Sequence, residues 1–469
     1  MTTIAPRAVL PSDVSAESAA DVVARLRATF ATGRTRDLQW RRRQLRGVER
    51  LVSEQEPAIA EAMAADLGRT PHDTWLGDHA ATKSEAAYAR KHLRRWTRKR
   101  RVTLPAAQLP GSAHYRFEPL GTVLVIGPWN YPIYLTLGPV VGALAAGNAV
   151  VVKPSEHAPA VSALLARLIP HYLDADAVAV VEGEADTTQA LLAEGLDLAF
   201  FTGGPEIGKK VMAAAAEHLT PVVLELGGKC PAIVTADADL DATARRLVWT
   251  KMLNHGQTCI APDYVLVEES VRERLLGKVM ASYREFREGD TSGVRIVNDR
   301  QFDRLVGLLD SHGGRLVFGG GRDRDALAIE PTVLVDPDLD SPLMTTEIFG
   351  PILPVITVAS LDDAISHVNA GSKPLAAYVF SGSRRSAERV TAEVPSGATV
   401  INHAMMHCLV PQLPFGGVGT SGMGAYHGQF GFEAFSHRKA VLSRTTTPDP
   451  DLLYPPYSER AQKILRKVL

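Results

Sequence analysis

Cysteine is nearly absent from this chain: three residues in 469, at Cys230, Cys259 and Cys408. Three is odd and the spacing is wide, which argues against a disulfide framework and fits a reducing, cytoplasmic setting. No CxxC pair or clustered His/Cys spacing offers a zinc site, so no metal is expected. An excess of either charge is also missing. Lys plus Arg total 51 against 52 for Asp plus Glu, a net charge of −1. That balance supplies no global pull toward nucleic acid or a membrane surface. The first 18 residues lack a charged start followed by an apolar core, so no signal peptide is read there. A long unbroken apolar run is lacking too. Residues 133–152 come nearest, but Gly138-Pro139, Gly142 and Gly147-Asn148 punctuate them. That pattern predicts a buried helix, a tight turn and a buried strand, and no membrane insertion.

One stretch departs from neutrality. Eight of the twelve residues 90–101 are Lys or Arg. A nucleic-acid or anionic-lipid patch is one reading. A solvated helix end with Leu93 and Trp96 packed inward is the other, and a single charged stretch favours it.

What is present is an ordinary globular composition, 45% hydrophobic and 22% charged, long enough for two or three domains. Residues 16–68 read as helical, with Leu38, Leu45, Val48, Leu51 and Val52 at near-helical spacing. Residues 101–118 read as irregular, with Pro105 and Pro110. From Gly121 short apolar runs alternate with helical stretches: strands at 122–127, 149–152, 177–181 and 197–201, helices to about 146 and over 158–172, 187–194 and 205–217. Apolar strands between helices imply a parallel sheet covered on both faces, with dinucleotides bound beyond the strands' carboxyl ends. A second βα region is read over 222–400, with strands at 222–226, 232–234 and 264–268 and a helix ending at Gly371. A Gly-rich tail, 414–428, precedes an edge strand near 438–443. Residues 460–469 read as a short helix without a hydrophobic anchor.

Some residues stand out chemically. Cys259, in NHGQTCIAPD, lies between a helix and a strand and is a candidate nucleophile, although most cysteines are small buried hydrophobes. Glu225, in PVVLELGGK, interrupts an apolar strand. A carboxylate there is costly unless paired or neutral, and a raised pKa suits a general base; a structural carboxylate capping nearby amides is the alternative. Asn130, in GPWNYP, could donate to an oxyanion or form an Asx turn. Lys153 and Glu156, in VVKPSE, could hold ribose hydroxyls or form a surface ion pair. FTGGPEIG puts glycines between a strand and a helix, which suits a pyrophosphate at a helix N-terminus.

Taken in order, GPWNYP, VVKPSE, FTGG-x3-G, LELGGK, NHGQTC, EIFGP and PFGGVG resemble the aldehyde dehydrogenase superfamily. HLTPVVLELGGKCP, QTCIAPDYVL, LPFGGVGTSGMGAYHG and FSHRK are closest to its class 3, the fatty and aromatic aldehyde branch. The resemblance spans roughly residues 20–460. It implies an α/β fold with a Rossmann-type cofactor domain (1–100 and 119–224), an α/β catalytic domain (225–412), a small β oligomerisation element (101–118 and 413–445) and a tail (446–469). It implies NAD or NADP as cofactor, an aldehyde as substrate and a homodimer. Carried residue by residue, it makes Cys259 the thiol that attacks the aldehyde, Glu225 the base that activates water and Asn130 the oxyanion donor. Lys153 and Glu156 match adenosine-ribose contacts, and Gly203 and Gly208 frame the cofactor turn. Glu347 and Phe349 match residues that hold the nicotinamide ribose and ring, and Trp129 is read as a further cofactor contact.

His255 stands where close relatives often carry a second cysteine. A Cys–His dyad is one reading of it, and a tolerated loop variation is favoured because the matched base is Glu225. His403, His407, Met405 and Met406 read either as a substrate entrance or as core and loop packing. Cys230 and Cys408 read as small buried hydrophobes. Three rival functions remain: a CoA-acylating dehydrogenase, which would not need the water-activating carboxylate at 225; a non-catalytic protein on the same fold, which would not need Cys259, Glu225 and Asn130 intact; and a thiol hydrolase without a cofactor, which would not need the cofactor motifs.

Overall fold

The computed structural model describes residues 17–288 and 293–468. Residues 1–16, where the absence of a signal peptide and the start of the helical stretch were read, lie outside the described residues, as does Leu469.

Helices Ala19–Ala31, Leu38–Glu54 and Glu56–Leu67 realise the N-terminal helical reading. Leu45, Val48, Leu51 and Val52 are fully buried on one face of the second. Helix Ala80–Trp96 follows and contains the start of the basic run. Its Leu93 and Trp96 are wholly buried and Trp96 packs against Phe432, so here the run is a charged helix end over an apolar anchor.

The first sheet contains β1 (Thr122–Ile126), β2 (Ala149–Lys153), β3 (Val178–Val180), β4 (Leu198–Thr202) and β5 (Val222–Glu225). Its order is β5-β4-β1-β2-β3, all parallel, and Gly422–Met423 adds an antiparallel edge beside β5. β5 therefore closes this sheet; it does not open the second βα region, as the sequence pattern suggested. Helix Tyr134–Ala146 is buried along its whole length, which accounts for the apolar run ending in β2. Among the described residues no helix is long and apolar enough to cross a membrane. Strand order reverses between β1 and β4, the place where a doubly wound sheet leaves a crevice at its carboxyl ends.

The second sheet runs β8-β9-β10-β7-β6-β11-β12, where β6 is Pro231–Val234, β7 Tyr264–Glu268, β8 Arg315–Phe318, β9 Thr332–Val335, β10 Ile352–Val358, β11 Ala376–Phe380 and β12 Ala398–Ile401. Only β8 is antiparallel to its neighbour. A third, three-stranded antiparallel sheet joins Arg100–Val102, Gly111–Pro119 and Ser436–Arg444. The sequence reading of 101–118 as irregular is thus corrected: nine residues from Gly111 pair in register with Ser436–Arg444. Pro105 and Pro110 punctuate only the connection before that strand, since proline cannot donate to a ladder.

Candidate active site

The carboxyl ends of the first sheet carry two of the singled-out residues, with two strands between them. Lys153 ends β2 opposite Ile126, and Glu225 ends β5 opposite Thr202. Lys153 is 2% exposed and ion-pairs with the exposed Glu156 at 2.7 Å. The pair read as a surface alternative exists, but its cation is buried at a strand end.

The turn after β4 leads into helix Pro205–Ala216, which begins without a side-chain cap. A Cβ on Gly203 would fall 2.4 Å from the Phe201 ring, and one on Gly208 2.8 Å from Leu226. At Gly204 a Cβ would meet nothing within 4 Å. The helix N-terminus therefore faces open space with its first N–H groups available to an anion, and the buried Thr202 hydroxyl nearby has no partner among the described residues. These features fit the diphosphate of a dinucleotide.

Glu225 is 3% exposed and neither carboxylate oxygen has a hydrogen-bond partner among the described residues. Burial pushes its carboxyl well above the usual range. This rules out the structural alternative of a carboxylate capping amides. Its backbone carbonyl instead accepts from the Gly203 N–H, tying it to the cofactor turn.

Cys259 follows helix Leu240–Met252 through a turn in which Asn254 and His255 both have positive φ (51° and 52°). Gly256 continues at φ +70°, and a Cβ there would lie 2.3 Å from the Gly350 carbonyl, so only glycine lets the two loops touch. The Asn130 side chain is 4% exposed and donates to the Gln257 carbonyl at 3.1 Å, linking the loop after β1 to the loop of the thiol. Cys259 lines an apolar cavity with Leu76, Tyr131, Trp249, Met405 and Met406. Burial first, then the charges of Glu347, Cys230 and Glu225, push the thiol well above its ordinary value.

Glu347 is half-buried, and burial with Asp263 nearby pushes it up to about 8, opposed by the Gly228 N–H it accepts from. Phe349, at φ +49°, sets its ring edge-on to Trp129 with centroids 5.4 Å apart. Bulky residues in this backbone region are strained, and Met405 (64°) and His427 (75°), both in the cavity wall, share it.

Several sequence readings need adjustment. Met405 and Met406 line the cavity, whereas His403 and His407 do not: His403 lies edge-on to Trp249 and His407 stacks on Phe415. Cys230 is buried as read, but its thiol also donates to the Cys259 carbonyl at 3.4 Å. Cys408 is only half-buried and lines the cavity. The sequence reading missed Arg69, Tyr131, Tyr134 and His427 in the wall. In sequence Arg69 sits beside Thr70-Pro71, which signals only a helix start, and the structure builds a capping box there.

The chain matches the model of the aldehyde dehydrogenase family over residues 9–441. It is 44% identical over 460 residues to aldehyde dehydrogenase family 3 member H1 of Arabidopsis thaliana, covering 96% of this chain and 95% of that one. It is 45% identical over 451 residues to family 3 member B1 of Homo sapiens, covering 95% and 96%. A Rattus norvegicus relative, named aldehyde dehydrogenase, dimeric NADP-preferring, is 44% identical over 432 residues, covering 91% and 95%. Among solved structures, the substrate-bound state of Staphylococcus aureus AldH superposes with a TM-score of 0.92 at 40% identity, covering 96% of this chain and 99% of that one. This chain therefore belongs to the aldehyde dehydrogenase family and is an oxidoreductase that uses NAD or NADP.

Proposed function

We propose that this enzyme oxidises medium- or long-chain aliphatic or aromatic aldehydes to free carboxylic acids, with Cys259 as nucleophile, Asn130 as oxyanion donor and Glu225 as the base for hydrolysis. The observation that carries this reading is the position of Cys259 in the wall of an apolar cavity, with Glu347 and Glu225 near enough to raise its pKa. An apolar cavity binds a hydrocarbon or aryl tail by burial and leaves the carbonyl as the polar end to be held.

The steps follow from the residues. The sulfur bonds to the aldehyde carbon while the thiol proton passes to Glu225, whose proton affinity burial has raised, and Glu225 gives that proton up to solvent before hydrolysis. One N–H of the Asn130 amide is committed to the Gln257 carbonyl. The other is available to the oxygen as it gains charge. The bound nicotinamide supplies the acceptor for the hydride, leaving an acyl thioester on Cys259. Glu225 then takes a proton from water, the oxygen bonds to the acyl carbon, the C–S bond breaks, and acid and thiol are released. Lys153 and Glu156 hold the adenosine ribose, Gly203 and Gly208 admit the diphosphate, and Glu347, Phe349 and Trp129 place the nicotinamide end. The boundaries given for cofactor, catalytic and bridging domains are part of this reading, as is a cytoplasmic location. So is a homodimer, supported by the exposed edge strand Ser436–Arg444 and by the rat relative named dimeric.

The test is rapid mixing with NAD⁺ or NADP⁺, no CoA, and a panel of aliphatic and aromatic aldehydes, following reduced nicotinamide. Sustained turnover to free acid supports the reading. A burst of one equivalent that resumes only with CoA overturns it in favour of an acylating enzyme.

A further inference from the structure

Arg69 is a charged side chain buried beside the reacting groups, and the chemistry above gives it no part. Its guanidinium is 1% exposed and uses three nitrogens on three different elements. Nη1 donates to Asp78 at 2.6 Å, Nη2 to the Asn130 backbone carbonyl at 2.6 Å, and Nε to Asn254 Oδ1 at 3.0 Å. The guanidinium plane also lies over the Tyr131 ring, 4.3 Å from its centroid. A Cβ on Gly77 would come 2.8 Å from that ring and 3.3 Å from Nη1, so the glycine makes room for both.

The partners extend the arrangement. Asp78 spends its second oxygen on the N–H groups of Ile133 and Tyr134, holding the start of helix Tyr134–Ala146 immediately after Asn130. Asn254, in its left-handed turn, donates through Nδ2 to the carbonyls of Asn130 and Gln257 at 3.1 and 3.0 Å. The loop bearing the amide and the loop bearing the thiol are thus both fastened to one cation. A buried ion pair is a poor source of net stability, because desolvation offsets its attraction. Fixing two loops in one relative position is a better account of it.

We infer that Arg69, braced by Asp78, is a positioning residue that sets the second N–H of the Asn130 amide for the developing oxyanion. The inference rests on reading Asn130 as the oxyanion donor. A guanidinium suits this task because its planar fork fixes several acceptors at once; a lysine ammonium keeps the charge and loses the fixed geometry. The role predicts a loss in the transition state and not in substrate binding.

The experiment is a double-mutant cycle on the full-length enzyme, with Arg69→Lys and Asn130→Ala alone and together. The readouts are the rate of the first reduced-nicotinamide burst, KM for aldehyde and thermal midpoint. Arg69→Lys is expected to slow the burst roughly 10- to 100-fold, approaching the loss of an oxyanion donor, with KM changed less than about threefold. In the Asn130→Ala background the same substitution is expected to cost less than about threefold, because the group it positions is gone. Equal losses in both backgrounds, or a rise confined to KM, overturn the inference. An Asn130→Ala enzyme with unimpaired burst overturns instead the reading of Asn130 on which the inference rests. If Arg69→Lys lowers the thermal midpoint enough to obscure the kinetics, Asn254→Ala removes a different link of the same network. It is held to the same pair of outcomes.

Discussion

The two halves of the site are built differently. Lys153 and Glu225 stand at the ends of parallel strands, in register with Ile126 and Thr202. The thiol and its surroundings stand on turns: Asn254, His255, Phe349, Met405 and His427 all have positive φ. A strand end fixes a charge cheaply, since the ladder already fixes the backbone. A strained loop holds a nucleophile only when packing on every side over-determines it, and here Arg69, Gln257 and the Gly256–Gly350 contact do so. The difference teaches that Lys153 and the base Glu225 can be placed by regular structure, whereas the thiol depends on mutual support between distant loops.

The contrast is broken most severely by Cys259→Ala. Turnover is expected to fall by at least ~10⁴-fold while cofactor binding, followed by fluorescence titration, stays intact. Loss of both together would mean the halves are not separable. Next is Glu225→Gln, expected to keep the first burst and lower steady-state turnover by roughly 10²- to 10⁴-fold. The base acts deprotonated, and burial has raised its pKa. Thioester hydrolysis should therefore speed up as pH rises through that elevated value, and the Gln enzyme should show a flat profile.

A smaller effect sharpens the comparison directly. Gly256→Ala forces a Cβ against the Gly350 carbonyl at a positive φ. It is expected to cost about 1–3 kcal/mol in thermal unfolding and to change the alkylation rate of Cys259. Gly203→Ala, which crowds Phe201, should weaken cofactor binding and leave that alkylation rate alone. The smallest effect concerns Glu347, pushed up to about 8 and so mostly protonated at pH 7. If it holds the cofactor as a carboxylate, binding at pH 7 should release close to one proton, and less above pH 8, where the group is already ionised. An indicator dye measures this, and Glu347→Gln should abolish the release while changing affinity about tenfold or less.

Much of the scaffold was legible because its elements are locally consistent. Apolar runs such as AVVV and LAFF have no use but as covered strands, and both lie in the first sheet. The arm strand Gly111–Pro119 was not legible, since its two faces are half-exposed and the partner that pairs along its whole length lies more than three hundred residues away. Glu225 and Cys259 announced themselves by type and setting. Arg69 did not, because its meaning comes from three partners on separate segments, none at helical or strand spacing from it. His403 and His407 left two readings open in sequence, entrance or packing, and the structure takes the second: their rings pack on Trp249 and Phe415.

The short strand Gly422–Met423 bears on how the chain is made. It pairs with β5, placing Gly422 opposite Glu225, yet the whole of the second sheet is synthesised between them. As the polypeptide leaves the ribosome, the flank of β5 therefore stays uncovered until residues 422 and 423 have emerged. An exposed strand flank is a template for joining other chains. Truncation before residue 422 should thus yield aggregates rather than a smaller working enzyme, and quality control during synthesis would weigh on this seam more than on any part of the catalytic chemistry.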